Sequence, residues 1–246
     1  MWEYILLGIL QGVFEWLPIS SEGVVALFSN FLVKDFNAVD VAIFLHLGTF
    51  FAVLIYFWKD WIKLISFKDN EFLKFFVIAT IISGGLGFLI YDFAKQIVMG
   101  GGLLILMGLG LLLTSFFQKK QINFNLNKKL APYVMGILQG LSAIPGVSRS
   151  GSTIFGLSFF EKDPYKILKI SYLLSAPVVL GSSLYLYFKN PEIITQGGWI
   201  ALIFAFVFGI FTLKFLLDLS RKINFSLFTL VFGILCILGA FIEFFI

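Results

Sequence analysis

Apolar residues in this chain run in blocks too long for a soluble helix, parted by short polar stretches. A segment that crosses a bilayer needs about 20 consecutive, mostly apolar residues. Six blocks meet that length, at 39–58, 72–91, 97–117, 167–188, 198–218 and 224–246. Each is expected to form one full transmembrane helix. Two further apolar regions are interrupted. The first, Trp2 to Val33, breaks at Leu17-Pro18-Ile19-Ser20-Ser21-Glu22-Gly23. The second, Pro132 to Phe160, breaks at Ile144-Pro145-Gly146-Val147-Ser148-Arg149-Ser150-Gly151. The limbs beside each break are about 10–15 residues long, too short to cross, and read as helices that enter the membrane, turn and leave on the same side.

The two interrupted regions copy one another. Gly8-Ile9-Leu10-Gln11-Gly12 recurs letter for letter as Gly136-Ile137-Leu138-Gln139-Gly140, and each copy leads to a proline and a serine-rich turn closed by glycine. Three full spans follow each break. The chain therefore reads as a single membrane domain, 1–246, made of repeat one (about 1–120) and repeat two (about 130–246), joined by the polar run Gln118 to Lys129. A re-entrant pair returns to its starting side and three crossings follow, so each half ends opposite to where it began. Repeat two is then inserted upside down relative to repeat one. Inverted repeats with interrupted segments at matching positions point to a site near the bilayer midplane.

Charge agrees with this parity. If residue 1 is placed on one side, fourteen lysines and arginines fall on the other; Lys34, Lys95 and Lys189 share the side of residue 1, and Arg149 lies within the membrane. The crowded side is the cytoplasm by the positive-inside rule, which puts both termini outside the cell membrane. The N-terminal stretch lacks a basic region and a small-residue cleavage site, so it is expected to be structure and not a removable signal.

Composition sharpens the exclusion of a soluble fold. The chain is 59% apolar and only 13% charged, with a mean hydropathy of +0.98. Soluble domains carry about 25% charged residues. The net charge of +4 comes from short loops between apolar blocks, a topology signal that excludes a nucleic-acid footprint. The 32 phenylalanines read as apolar filler, and one cysteine, Cys236, permits no intramolecular disulfide.

Few ionisable residues remain at bilayer depth: Glu15, Glu22, His46 and Arg149, with Glu243 close to an interface. Each costs at least about 2.5–3.5 kcal/mol on insertion scales and needs a partner or a wet cavity. Should the two tips meet, a guanidinium, several hydroxyls and two carboxylates converge. The donors Arg149, Ser148, Ser150 and Ser20 suit phosphate oxygens. A buried Arg149–Glu15 pair that only fixes packing is the bland alternative. Gln11, four residues before Glu15, could orient that carboxylate or help hold a divalent cation; Gln139 is its counterpart and could equally bond a neighbouring helix. His46 is the sole histidine, and a lone membrane histidine more often bonds a neighbouring helix than joins the chemistry. One histidine and one cysteine make no metal cage.

These residues resemble the undecaprenyl-diphosphate phosphatase family, known also through bacitracin resistance. That family's first motif, Glu or Gln, three residues, then Glu, matches Gln11-Gly12-Val13-Phe14-Glu15 and continues into Leu17-Pro18-Ile19-Ser20-Ser21. Its second, Pro-Gly-x-Ser-Arg-Ser-x-x-Thr, matches Pro145-Gly146-Val147-Ser148-Arg149-Ser150-Gly151-Ser152-Thr153 at every fixed position. The resemblance spans the whole chain. It implies hydrolysis of an undecaprenyl-type polyprenyl diphosphate to the monophosphate, recycling a lipid carrier of cell-envelope glycans. It also implies a divalent cation, Mg2+ or Ca2+, and a pocket open to the external face. The family commonly reads Ser-Ser-Thr-Gly-His where this chain has Ser20-Ser21-Glu22-Gly23-Val24. With that histidine gone, either Glu15 and Glu22 share the acid–base and metal work, or the activity is lost or changed.

The expected roles follow. Glu15, Ser21 and Arg149 are the catalytic candidates, with Ser21 the nucleophile or a water attacking directly. Ser20, Ser148, Ser150 and Thr153 are expected to bind substrate, and Gln11, Glu15 and Glu22 to hold the cation. Partners are the polyprenyl diphosphate and membrane lipid, with no nucleic acid and an open oligomeric state that includes a homodimer. A transporter of a phosphorylated lipid on the same midplane site is the alternative function.

Overall fold

The computed structural model describes residues 1–32, 38–94, 100–119, 127–144, 147–189 and 198–244. Within them every regular element is helical. Val33, Lys34, Lys95, Pro145 and Gly146, named above for topology or motif, lie outside the described residues.

The first interrupted region forms α1 (Trp2–Phe14) and α2 (Ser21–Leu32), and the second forms α7 (Ala131–Leu141) and α8 (Arg149–Leu157). The six uninterrupted blocks coincide with α3 (Ala38–Tyr56), α5 (Asn70–Ala94), α6 (Gly100–Lys119), α9 (Pro164–Lys189), α10 (Trp199–Ser220) and α11 (Phe225–Phe244). A short helix, α4 (Trp58–Ile65), and a single 3-10 turn at Lys128–Leu130 complete the described elements.

Length and apolarity suffice for a membrane crossing in Asn70–Ile90, Pro164–Phe188 and Trp199–Ser220, and α3 with α4 adds a fourth if the bent pair is one span. The molecule is thus an all-helical, multi-pass membrane protein. The apolar cores of α6 and α11, Leu104–Phe116 and Phe225–Phe241, are shorter. The block expected at 39–58 ends early. α4 turns 78° away from α3 after Phe57, because Lys59, Asp60 and Lys63 cannot follow the apolar run into lipid.

Packing pairs elements from the two halves of the chain. α1 lies against α10, α7 against α5, α6 against α11 and α3 against α9. The α1–α10 contact is a backbone approach. A Cβ on Gly12 would sit 2.6 Å from the Gly209 nitrogen, and one on Gly8 2.3 Å from the Ala201 carbonyl oxygen. Small residues at such seams are the usual device for close helix packing where lipid supplies no hydrophobic drive. Leu168, Tyr172, Phe228 and Trp16 belong to one buried cluster.

Candidate active site

The first tip is built by a helix that stops at a proline. Glu15 still donates its N–H to the Gln11 carbonyl, but Pro18 has none to give. Trp16, fully buried beside it, anchors the turn: its Nε1 donates to the Gly209 carbonyl at 2.8 Å, and its ring lies 4.9 Å from that of Tyr172. Ser20 accepts from the Gly23 N–H at 3.1 Å and so caps the start of α2. The second tip is capped the same way, Ser148 accepting from Gly151 N–H at 3.2 Å. Both Ser148 and Ser150 donate to the Leu17 carbonyl, the residue before Pro18. Hydroxyls of the second break thereby stitch it to the backbone of the first.

Glu15 is the hub of this junction. Its Oε1 accepts from Arg149 Nη2. Its Oε2 accepts from Gln11 Nε2 at 2.7 Å and from the Ser21 hydroxyl at 2.9 Å. His46 Nε2 stands 3.1 Å from the same oxygen. Four side chains from α1, α2, α3 and α8 converge on one buried carboxylate. Three of these contacts fall on Oε2 and one on Oε1, so it is the Oε2 edge of the carboxylate that is fully engaged.

The cluster opens into a pocket of about 560 Å³ whose polar end is formed by Glu15, Ser20, Ser21, Glu22, His46, Ser148, Arg149 and Ser150. Arg149 Nη1 is buried and has no hydrogen-bond partner among the described residues. Left so, it would cost the full desolvation of a charged donor, so an acceptor in the pocket is what it lacks. The first turns of α2 and α8 also face the pocket, through Ser21 and Glu22 and through Arg149 and Ser150. Free N–H groups at helix N-termini favour anions.

Two of the expected site residues do not reach the pocket. Thr153 is turned to the α8–α9 seam. Its hydroxyl donates back to the Arg149 and Ser150 carbonyls and meets Ser171 Oγ at 2.5 Å. Gln11 lies behind Glu15 and orients it, the first of the two roles open to it. Two residues that the sequence left aside do line the pocket, His46 and Gln139. Val24, where the resemblance leads one to look for an imidazole, is core, only 5% exposed. The imidazole near the cluster comes instead from the middle of α3.

No group of three or more His, Cys, Asp or Glu among the described residues has metal-binding spacing. Glu15 and Glu22 are the two carboxylates that line the pocket. Magnesium is commonly held by one or two carboxylates plus substrate phosphates, so the residues present fit a cation shared with a diphosphate and not one caged by the protein.

Residues 4–240 match the family model for the bacitracin resistance protein BacA. The chain belongs to the BacA family. Relatives named undecaprenyl-diphosphatase cover nearly its whole length. One from Methanococcoides burtonii is 31% identical over 98% of both chains. Others are from Halothermothrix orenii, 35% identical over 90% of each chain, and Haloarcula marismortui, 33% identical over 96% of this chain and 95% of its own. The Glu15 hub therefore sits in a BacA-family protein whose relatives carry the name undecaprenyl-diphosphatase.

Proposed function

We propose that this protein hydrolyses the terminal phosphoanhydride bond of an undecaprenyl-type polyprenyl diphosphate, releasing inorganic phosphate and leaving the monophosphate lipid. The reading rests on one observation above all. A serine hydroxyl donates to a buried carboxylate that also grips an arginine whose Nη1 has no partner among the described residues. That is a nucleophile, a proton acceptor and a phosphate-binding arm within one contact. The relatives' names favour hydrolysis over transport of a phosphorylated lipid.

In the proposed reaction Arg149 Nη1, the Ser20 hydroxyl and the N–H groups opening α2 and α8 hold the terminal phosphate, while Ser148 and Ser150, whose hydroxyl hydrogens go to the Leu17 carbonyl, fix the second tip against the first. Charge builds on its oxygens as the bond to the leaving phosphate lengthens, and these donors lower the barrier because they are already aimed. Ser21 Oγ attacks the terminal phosphorus and its proton passes to Glu15. The bridging P–O bond breaks with its electron pair on the departing monophosphate lipid. Water then cleaves the phosphoserine, yielding phosphate. A divalent cation, Mg2+ or Ca2+, held by Glu22 and the diphosphate oxygens would neutralise the two phosphates when bound.

The proposed setting is the cell membrane, with the interrupted helices as re-entrant pairs in two inverted repeats, six full spans, and the pocket and both termini facing outward. The exchanged packing of α1 on α10 and α7 on α5 supports the inversion, since each interrupted helix meets the second span of the other half. The test is phosphate release from farnesyl diphosphate by detergent-purified protein. Arg149→Ala is expected to lower kcat by about 10²–10³, the cost typical of losing one oriented oxyanion donor. Ser21→Ala is expected to abolish both turnover and the phosphoserine trapped by acid quench. Undiminished release by Arg149→Ala would end the phosphate-arm reading, and release that survives Ser21→Ala would move attack to water.

A further inference from the structure

The Glu15 hub has a counterpart in the second repeat, and the two differ in one decisive residue. Gln139 stands where the repeat places Gln11, and Ala143 stands where it places Glu15. With no carboxylate beside it, the Gln139 amide turns to other partners. Its Nε2 donates to Ser83 Oγ at 3.2 Å and to the Leu174 carbonyl at 3.1 Å. A carbonyl can only accept, so the amide nitrogen is fixed on that side and Oε1 is turned away from it. That oxygen belongs to a residue only 2% exposed that lines the pocket, and it has no partner among the described residues. A buried acceptor on the wall of a cavity calls for a donor or a cation inside the cavity.

The hydroxyls beside it offer the same chemistry. Ser83 Oγ donates to the Thr80 carbonyl at 3.1 Å, and Ser142 Oγ donates to the Gln139 carbonyl at 2.6 Å. Their hydrogens are spent on backbone, so what these two serines can present to the pocket is lone pairs. Thr80 Oγ1, one turn before Ser83 on α5, is buried and also has no partner among the described residues. Thr80, Ser83, Gln139 and Ser142 all line the pocket. Gln139 lies in the last turn of α7, where the carbonyl end of the helix adds negative potential. There is room as well: a Cβ built on Gly84, one turn after Thr80, meets nothing within 4 Å. A wall of oxygens at the negative end of a helix repels phosphate. It is the reverse of the Arg149 end of the same cavity.

We infer that Thr80, Ser83, Gln139 and Ser142 form a binding site for a monovalent cation, Na+ or K+, where α5 meets the end of α7. All four supply neutral oxygens. A divalent ion would lack the carboxylates that it commonly takes, whereas neutral oxygens at the carbonyl end of a broken helix suffice for a singly charged ion. The inference goes beyond the hydrolase reading and does not depend on it.

The experiment is the unfolding temperature of the full chain in detergent, with neither substrate nor divalent ion, in NaCl, KCl and choline chloride at equal ionic strength. Choline is too large and too weak a Lewis acid to enter an oxygen cage. At an ion concentration of about ten times Kd, wild type is expected to melt about 3 °C or more higher in NaCl or KCl than in choline chloride. Thr80→Val keeps the side-chain volume and removes one orphaned oxygen; Gln139→Met removes the other. Each variant, whatever its basal stability, is expected to melt at the same temperature in all three salts. Should Gln139→Met fail to fold, Thr80→Val decides alone. Identical melting of wild type in the three salts overturns the site and leaves water as its occupant. A salt-specific shift retained by either variant overturns it too. Phosphate release plays no part in this readout, so a wild-type protein inactive on farnesyl diphosphate would end the hydrolase reading and leave the cation site to be judged by its own measurement.

Discussion

His46 occupies a place that its chemistry explains. Its Nδ1 lies 2.7 Å from the Ala42 carbonyl oxygen, which can only accept, so that nitrogen carries a hydrogen. Nε2 faces Glu15 Oε2, and a proton lies between these two atoms whichever of them owns it. The imidazole is thus held one turn of α3 above its own hydrogen-bond anchor and against the hub. Replacing it with leucine removes a donor from a buried carboxylate, while glutamine can keep one. His46→Leu is expected to lower kcat by about 10²-fold, on the scale of a lost oriented donor, and His46→Gln to recover most of that, measured as phosphate release at saturating substrate. Equal loss in both variants would mean that the ring acts through its charge or its proton. Nothing in spacing along the chain relates residue 46 to residue 15, so the sequence alone does not bring the histidine to this cluster. Glu15 and Arg149 stand out in the sequence because apolar neighbours make a charge at that depth conspicuous, and the structure brings Ser21 to the same cluster. Thr153 misled for the opposite reason: its motif position suggested a phosphate ligand, but a threonine inside a helix readily bonds back to the carbonyl four residues earlier.

At the scale of elements, the helices were legible wherever an apolar run ended at a proline or a polar cluster. Both breaks are shifted toward the N-terminus of the stretches that the sequence marks: α2 opens at Ser21 and α8 at Arg149, so Ser21–Gly23 and Arg149–Gly151 are already helical. The bend into α4 was not legible. Trp58 continues the apolar block, and only the charges after it show that the chain has reached the membrane surface, with Trp58, Ile62 and Ile65 exposed on an amphipathic turn of helix. Nor does sequence say which helix receives α1. The seam with α10 depends on Gly8 and Gly12 meeting backbone atoms, and backbone cannot swing aside as a side chain can. Gly12→Leu is expected to destabilise the protein by about 1–3 kcal/mol, the usual cost of overpacking a fitted contact, and to lower its unfolding temperature in detergent. Activity should fall further than stability, because α1 carries Gln11 and Glu15 toward Ser21 and Arg149. Full activity in a Gly12→Leu protein that melts like wild type would show that the hub does not depend on this seam.

For the whole molecule, the arrangement of charge and the meeting of the tips constrain each other. Arg149 and Glu15 belong to different interrupted regions, yet they share a hydrogen bond. Helices as short as α1 and α8 cannot carry their ends across a bilayer from one face; 13 and 9 residues rise only about 20 and 14 Å. If both regions entered from the same side, their tips could meet at that depth with no inversion, and the surplus of lysine and arginine on one side would have no cause. If they enter from opposite sides, the meeting point lies near the midplane and the surplus follows from the parity of the spans. Single cysteines decide between these. Cys236 is buried and can be replaced by alanine to give a cysteine-free background. Trp2→Cys and Leu130→Cys then report the outer ends of α1 and α7, both residues being exposed. In intact cells a membrane-impermeant maleimide is expected to label position 2 and to miss position 130 until the cells are broken, with Lys63→Cys and Lys166→Cys behaving like position 130. Labelling of positions 2 and 130 from the same face would remove the inversion. The tips would then have to reach each other through one leaflet, and the pocket would be shallow and far from the midplane.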